Sequence, residues 1–301
     1  MILVAGSANL DFVVRAPHIP AAGETVLGSS FMTYPGGKGA NQAIACARSG
    51  NAETTMLLAL GDDAYGAPIE VSLRSAGVRV HIVRVADRAT GTAFICVSDD
   101  AQNAITVTPG ANYSLDASHL PPLDGVTHLL LQLEIPLQAV VAYASAAKMR
   151  GVKVVLNAAP AQALPAELLS LLDVLIVNEG ELAAITGCGE DLELGLQRIS
   201  VPCVIVTLGE RGCLARAAGK FISQAGFLVE PIDTTAAGDT FCGVLTAALD
   251  QGMDIETALR NASAAGALAC TKAGAQSSIP TSAELRDFLG TFFFFDAHAQ
   301  K

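Results

Sequence analysis

The sequence predicts an α/β fold: a doubly wound, mostly parallel sheet with helices on both faces, plus a small separate β-sheet inserted into it. Three observations carry this prediction. Short apolar runs of strand length recur along the chain, helix-like segments separate them, and two β-rich stretches interrupt the alternation. Strands buried on both faces read as unbroken apolar runs, and a helix between two of them implies a right-handed parallel crossover.

The elements follow in order. Ile2–Ala5 reads as a first strand, followed by a helix over Ala40–Ser49, a strand over Thr54–Leu60 and a helix over Tyr65–Ala76. Thr127–Leu131, Lys153–Leu156, Val174–Val177 and Val204–Thr207 are four further apolar runs, with helices such as Pro136–Met149 and Glu179–Thr186 between them. The last third is Ala-rich and helical over Gly238–Leu249, Ile255–Thr271 and Ala283–Leu289. Leu10–Tyr34 and Arg79–Val107 show partial alternation, as in Thr25-Val26-Leu27-Gly28-Ser29-Ser30-Phe31, with no helix between strands. We therefore expect one domain over 1–301, with the strands of the small sheet inserted at about 10–34 and 79–107. Four adjacent phenylalanines, Phe292–Phe295, would be a liability in water, so they are expected to be buried or at an interface.

Composition narrows the function classes. With 51% apolar and 16% charged residues, the chain can bury a large core. A net charge of −11 repels a phosphate backbone and argues against a nucleic acid partner. Anionic small molecules must then be held by backbone N–H groups and a few placed cations. The seven cysteines have no Cys-x-x-Cys spacing and the five histidines are isolated, which suggests reduced core thiols in a cytoplasmic protein. The apolar start Met1–Gly6 has no positive leader and reads as a strand, and every apolar run is too short to span a membrane.

Two glycine-rich turns lead into helices. Asp233-Thr234-Thr235-Ala236-Ala237-Gly238-Asp239-Thr240 opens the helix from Gly238, leaving backbone N–H groups free where the helix dipole favours an anion. Asp239 at that mouth can take a proton from an attacking hydroxyl; alternatively, Asp239 and Thr240 merely cap the helix. Gly36-Gly37-Lys38-Gly39-Ala40-Asn41 is the second turn; no hydroxyl residue follows its lysine, so it is not a Walker A loop. It brings Gly37, Lys38 and Asn41 close to a polar ligand, or is simply a positive-φ turn. Polar residues also stand at the ends of apolar runs: Asn9 and Asp11, Glu134, Asn178 and Glu181, and Thr207 with Gly209. Ligands of open α/β sheets sit beyond those strand ends, although each residue alone fits a turn.

Gly36–Gln42 and Asp233–Asp239 resemble the two signatures of the PfkB carbohydrate kinase family, and Asn178-Glu179-Gly180-Glu181 is similar to its Asn-x-x-Glu element. Within the family the likeness to members acting on D-ribose runs along nearly the whole chain, through Gly23–Val26, Gly61-Asp62-Asp63, Gly110-Ala111-Asn112, Gln132-Leu133-Glu134 and Lys272–Pro280. The resemblance implies ATP-dependent phosphorylation of a sugar, with the 5-hydroxyl of D-ribose as the expected acceptor. Fructose, a deoxy-sugar acid or a nucleoside is the alternative acceptor, and a non-catalytic sugar sensor the alternative from another class.

The resemblance also implies roles. Asn9, Asp11, Gly37, Lys38, Asn41 and Glu134 hold the sugar, Asp239 is the catalytic base, and the N–H groups of Ala236, Ala237 and Gly238 form the anion hole. Asn178, Thr207, Gly209, Gly212, Gly238 and Ser263 line the ATP side, with Glu181 holding Mg²⁺ through water. Asp233, Thr235, Ala269, Lys272, Gly274 and Ser278 resemble a loop for a monovalent cation, K⁺, bound mostly through backbone oxygens. The small sheet would be a lid over the sugar, and lids of two subunits would clasp into a homodimer.

Overall fold

The structure is a computed structural model that describes residues 1–100, 102–188 and 191–296, leaving aside the side chains of 292–296. The expected covering of Phe292–Phe295 therefore lies outside the described residues. The first half of the chain runs β1 (Ile2–Ala5), β2 (Asn9–Ala16), β3 (Ser30–Gly36), α1 (Lys38–Ile44), β4 (Thr54–Gly61), α2 (Gly66–Ser75), β5 (Arg79–Val85), β6 (Gly91–Ser98) and β7 (Asn103–Thr108). The second half continues with β8 (His128–Leu131), α3 (Leu137–Met149), β9 (Lys153–Asn157), α4 (Ala166–Leu171), β10 (Val174–Asn178), α5 (Glu179–Thr186), α6 (Leu192–Arg198) and β11 (Cys203–Thr207). A hairpin of β12 (Cys213–Ala217) and β13 (Lys220–Gln224) precedes α7 (Ala237–Asp250), α8 (Ile255–Ala269) and α9 (Ser282–Asp296).

Nine strands form the large sheet in the order β13-β12-β11-β10-β9-β8-β1-β4-β5. The pairs from β11 to β5 are parallel, and the β12–β13 hairpin adds an antiparallel edge. Side chains alternate between two cores, as strand geometry requires. Ile2 and Val4 of β1 and Met56, Leu58 and Leu60 of β4 pack with α1, α2, α7 and α8, whereas Leu3, Ala5, Leu57 and Ala59 pack with α3, α4, α5 and α6.

The small sheet has the order β3-β2-β6-β7. One boundary expected from sequence is corrected here: Arg79–Val85 belongs to the large sheet, paired in parallel with β4. As an edge strand it has a half-exposed face, so its alternation looks like that of a strand in the inserted sheet. Thr25–Ser29 lies in the turn before β3 rather than in a strand, and the β12–β13 hairpin went unread.

Two helices that bear the glycine-rich turns are pressed together. A Cβ built on Gly243 of α7 would lie 2.6 Å from the Gln42 carbonyl oxygen and 2.5 Å from Ala45 Cβ. The Cys46 thiol donates to the Gly243 carbonyl at 3.2 Å. Only a residue with no side chain lets the helices approach this closely, which brings the first turn of α7 alongside α1.

Candidate active site

Glu134 follows β8 and Asn178 and Thr207 end β10 and β11, at the carboxyl edge of the large sheet, beyond which ligands of open α/β sheets sit. The chain leaves β1, crosses to the small sheet at Asn9 and returns through β3 to Gly37. Gly37 has φ of +88°, and a Cβ there would meet Ala8 Cα at 2.8 Å. This turn aims α1 so that Asn41 and Gln42 face α7.

Asp239 sits in the first turn of α7, 8% exposed. Its Oδ2 accepts from Asn41 Nδ2 and its Oδ1 from Gln42 Nε2, both at 2.9 Å. The helix cap is Ala236, in the left-handed region at φ +61° and without a side-chain cap bond. Asp239 is therefore no cap, and the capping alternative falls. Thr240 Oγ1 is buried and has no hydrogen-bond partner. At the helix mouth, the Ala237 N–H leans on the Thr234 carbonyl at 3.3 Å, and Gly238 is exposed.

The expected sugar residues come together around this carboxylate. Asn9 is buried and takes an N–H from Asn112 Nδ2 at 2.8 Å on its Oδ1. Glu134 Oε2 accepts from Ser7 Oγ at 2.5 Å and from the Lys38 backbone N–H at 3.2 Å. The ammonium of Lys38 is held above its usual range chiefly by Asp239, with Glu134 and Glu181 adding to the effect against burial. Asp11 is pushed up to about 7, first by burial and then by Glu134 and Asp239. Asp11 Oδ1 and Asn41 Oδ1 are buried with no partner. Buried polar atoms are normally paired, so two orphaned acceptors on facing elements mark where ligand hydroxyls fit.

Asp239 lines one of two hollows that share Thr207, Thr234 and Gly238. The polar one, about 240 Å³, is lined by Lys38, Asn157, Asn178, Glu181 and Asp239 among others. Asn178 and Glu181 cap α5 reciprocally, each side chain accepting the other's backbone N–H at 2.8 Å. That bond engages Oε2 of Glu181, and burial pushes its carboxyl above the usual range. A buried carboxylate with one oxygen left fits a hydrated Mg²⁺, which would satisfy its charge. The second hollow, about 430 Å³, is walled by Gly209, Gly212, Phe227, Phe241, Ser263, Gly266 and Cys270 among others. A largely apolar slot of this size beside a helix N-terminus fits a nucleotide.

The presumed cation loop is assembled through Asp233. Its Oδ1 accepts from the N–H (2.9 Å) and hydroxyl (2.6 Å) of Thr235, and its Oδ2 from the Gly274 N–H (2.9 Å). These bonds hold its carboxyl below the usual range against burial. With the carboxylate occupied by donors, K⁺ would take carbonyl oxygens of the loop. Within that loop the Lys272 N–H leans on the Ala269 carbonyl at 3.2 Å, and the Lys272 ammonium turns away to Glu284 at 2.5 Å. Ser278 is buried, with its hydroxyl on the Ala275 carbonyl.

The family model of the pfkB family carbohydrate kinases matches residues 1–282. The chain belongs to this family. Among similar PfkB kinases, the ribokinase of Haemophilus influenzae is 40% identical over 300 residues, covering 96% of this chain and 98% of its own. The crystal structure of Thermotoga maritima ribokinase superposes with a TM-score of 0.88 at 35% identity, covering 96% of this chain and 99% of its own. The Arabidopsis thaliana ribokinase, solved in complex with ribose and ATP, gives 0.87 at 33% identity, with coverages of 96% and 98%.

Sequence reasoning missed part of this PfkB site. Gln42, Gln132 and Asn157 reach Asp239 by hydrogen bonds, and Ser7 and Asn112 hold Glu134 and Asn9. Gln132 and Asn157 carried the same signal that found Glu134, a polar residue ending an apolar run. Phe227, Gly266 and Cys270 gave none, because apolar cleft walls read as core.

Asp11 yields a pH prediction. Its folded pKa of about 7 lies above the ordinary 3.8, so between those values the folded state keeps a proton that the unfolded chain has released. Stability is then lost as pH rises through that window. Asp11→Asn should raise Tm by several degrees at pH 8 and by less than half as much at pH 5. An equal change at both values would contradict the buried, proton-holding carboxyl.

Proposed function

We propose that the protein is an ATP-dependent sugar kinase that transfers the γ-phosphoryl group of ATP to the 5-hydroxyl of D-ribose. The observation that carries this reading is Asp239, a buried carboxylate in the first turn of α7 that lines a polar hollow, which shares Gly238 with an apolar cleft. Family membership and the ribokinases among its relatives support the acceptor.

Asp239 orients the primary hydroxyl and takes its proton as the oxygen attacks phosphorus. Phosphoryl transfer has a loose transition state, so positioning and charge neutralisation supply most of the catalysis. Asn9, Asp11, Lys38, Asn41 and Glu134 bind the sugar hydroxyls. The Ala236–Gly238 turn and Lys38 face the transferring group, while Thr207, Gly209, Gly212 and Ser263 flank the nucleotide. Glu181 would hold a hydrated Mg²⁺, which would supply neutralisation of charge on the phosphates. Closure of the small sheet excludes water that would otherwise accept the phosphoryl group.

An ADP-release assay across acceptors tests this. D-ribose should exceed 2-deoxyribose, fructose and adenosine in kcat/KM by at least about tenfold, or about 1.4 kcal/mol, because a site built for specific hydroxyls leaves a buried partner unpaired when one is missing. Asp239→Asn should lower kcat by about 10²–10⁴ while the fold persists. Faster turnover of fructose or adenosine would reassign the substrate, and near-normal turnover in Asp239→Asn would remove the base.

K⁺ is the proposed occupant of the Asp233–Gly274 loop, which adjoins the turn before α7. Exchanging Na⁺ for K⁺ at constant ionic strength should raise the rate, and equal rates would refute the ion's role. The small sheet is proposed as the lid and the dimer contact. Phe31, Met32, Phe94 and Ile105 are each more than half exposed on it, which supports pairing of two copies. Light scattering should return twice the chain mass, and a monomer would exclude this interface. The seven free cysteines support a reducing cytoplasm as its compartment, which cell fractionation would check.

A further inference from the structure

Behind Asp239 runs a chain of three carboxamides that the phosphoryl-transfer reading does not use. Gln42 follows Asn41 on α1, Gln132 follows β8 and Asn157 ends β9. All three are buried, Gln42 and Gln132 completely. Gln42 Nε2 donates to Asp239 Oδ1 at 2.9 Å and to Asn157 Oδ1 at 3.0 Å. Gln42 Oε1 accepts from Gln132 Nε2 at 2.7 Å, and Asn157 Nδ2 donates to the Ile176 carbonyl at 3.4 Å.

A carboxamide has a donor end and an acceptor end, so its direction decides whether it attracts a neighbour or repels it. A backbone carbonyl can only accept, so Ile176 turns the Asn157 amide group toward itself and leaves Oδ1 facing Gln42. Gln42 must answer with N–H groups, and the same NH₂ reaches Asp239. The Gln132 N–H secures its other end. A flipped Gln42 would set its oxygen against both the Asp239 carboxylate and Asn157 Oδ1. With Asn41 on Oδ2, each oxygen of Asp239 then accepts one N–H from α1. Packing alone does not account for this chain, because Gln132 Oε1 is buried without a partner, which an apolar residue would avoid.

We infer that Gln42 is a positioning residue for Asp239, its amide direction set by Asn157 and Gln132, so that the carboxylate meets the sugar hydroxyl in one orientation. The inference rests on the reading of Asp239 as the base. Gln42→Met keeps the length and removes the N–H. Assayed with D-ribose and ATP, it should lower kcat about 10–100-fold and leave both KM values within about threefold. A loss in kcat alone, with both KM values held, separates positioning of the carboxylate from a general loosening of the site.

Gln132→Met should lower kcat by less, again with both KM values held, and it decides the matter alone if Gln42→Met fails to fold. Asp239→Asn is the reference. If it has lost activity while Gln42→Met and Gln132→Met turn over at the wild-type rate, the positioning role is overturned and the base stands. If Asp239→Asn is itself active, the base assignment falls and the positioning role falls with it.

Discussion

The close approach of α7 to α1 is the constraint on which the site depends. Gly243 leaves room for the Gln42 carbonyl and Ala45, and Cys46 bonds the Gly243 carbonyl. Through that contact the first turn of α7 stands beside Asn41 and Gln42. Asp239 is then flanked by two amide donors rather than by water. A side chain at 243 would push the helices apart and lengthen the hydrogen bonds that hold the carboxylate, because close-packed interiors transmit such displacements. Two glycine-rich signatures almost 200 residues apart in sequence thus become one site through packing between their helices.

Electrostatics add a second layer. Asp11, Glu134, Glu181 and Asp239 all act on one another or on Lys38, the one ammonium among the described residues that line the polar hollow. Four carboxyl groups around one cation give a strongly anionic site in a chain already at −11. A polyphosphate cannot be drawn in by side-chain charge alone. Backbone N–H groups at the α7 mouth would have to carry that burden, and Asp233 organises the neighbouring loop through three accepted hydrogen bonds.

Much of this was legible in the sequence. Continuous apolar runs gave the strands of the large sheet because those strands are buried on both faces. The two glycine-rich turns pointed to Asp239 and Lys38, since only small residues permit such backbone geometry before a helix. Arg79–Val85 was misplaced because an edge strand and a strand of a half-exposed small sheet share one alternating pattern. Gln42 stayed silent because its chemistry depends on partners 90, 115 and 197 residues away. The apolar walls of the nucleotide cleft could not be told from core, since burial against a ligand and burial against protein select the same residues.

One feature of the connectivity bears on how the protein handles its substrate. Asn9 and Asp11 are the first and third residues of β2, a strand of the small sheet, whereas Lys38, Asn41 and Asp239 stand on helices of the main body. The small sheet joins that body through a few backbone segments, one of them the three residues between β1 and β2. A sugar held from both sides would be a tie rod between two bodies, and its affinity would include the mechanical work of drawing them together. A sugar too short to span the gap would occupy half a site and leave the sheet unlatched. Such a site measures the length of its ligand as well as the pattern of its hydroxyls.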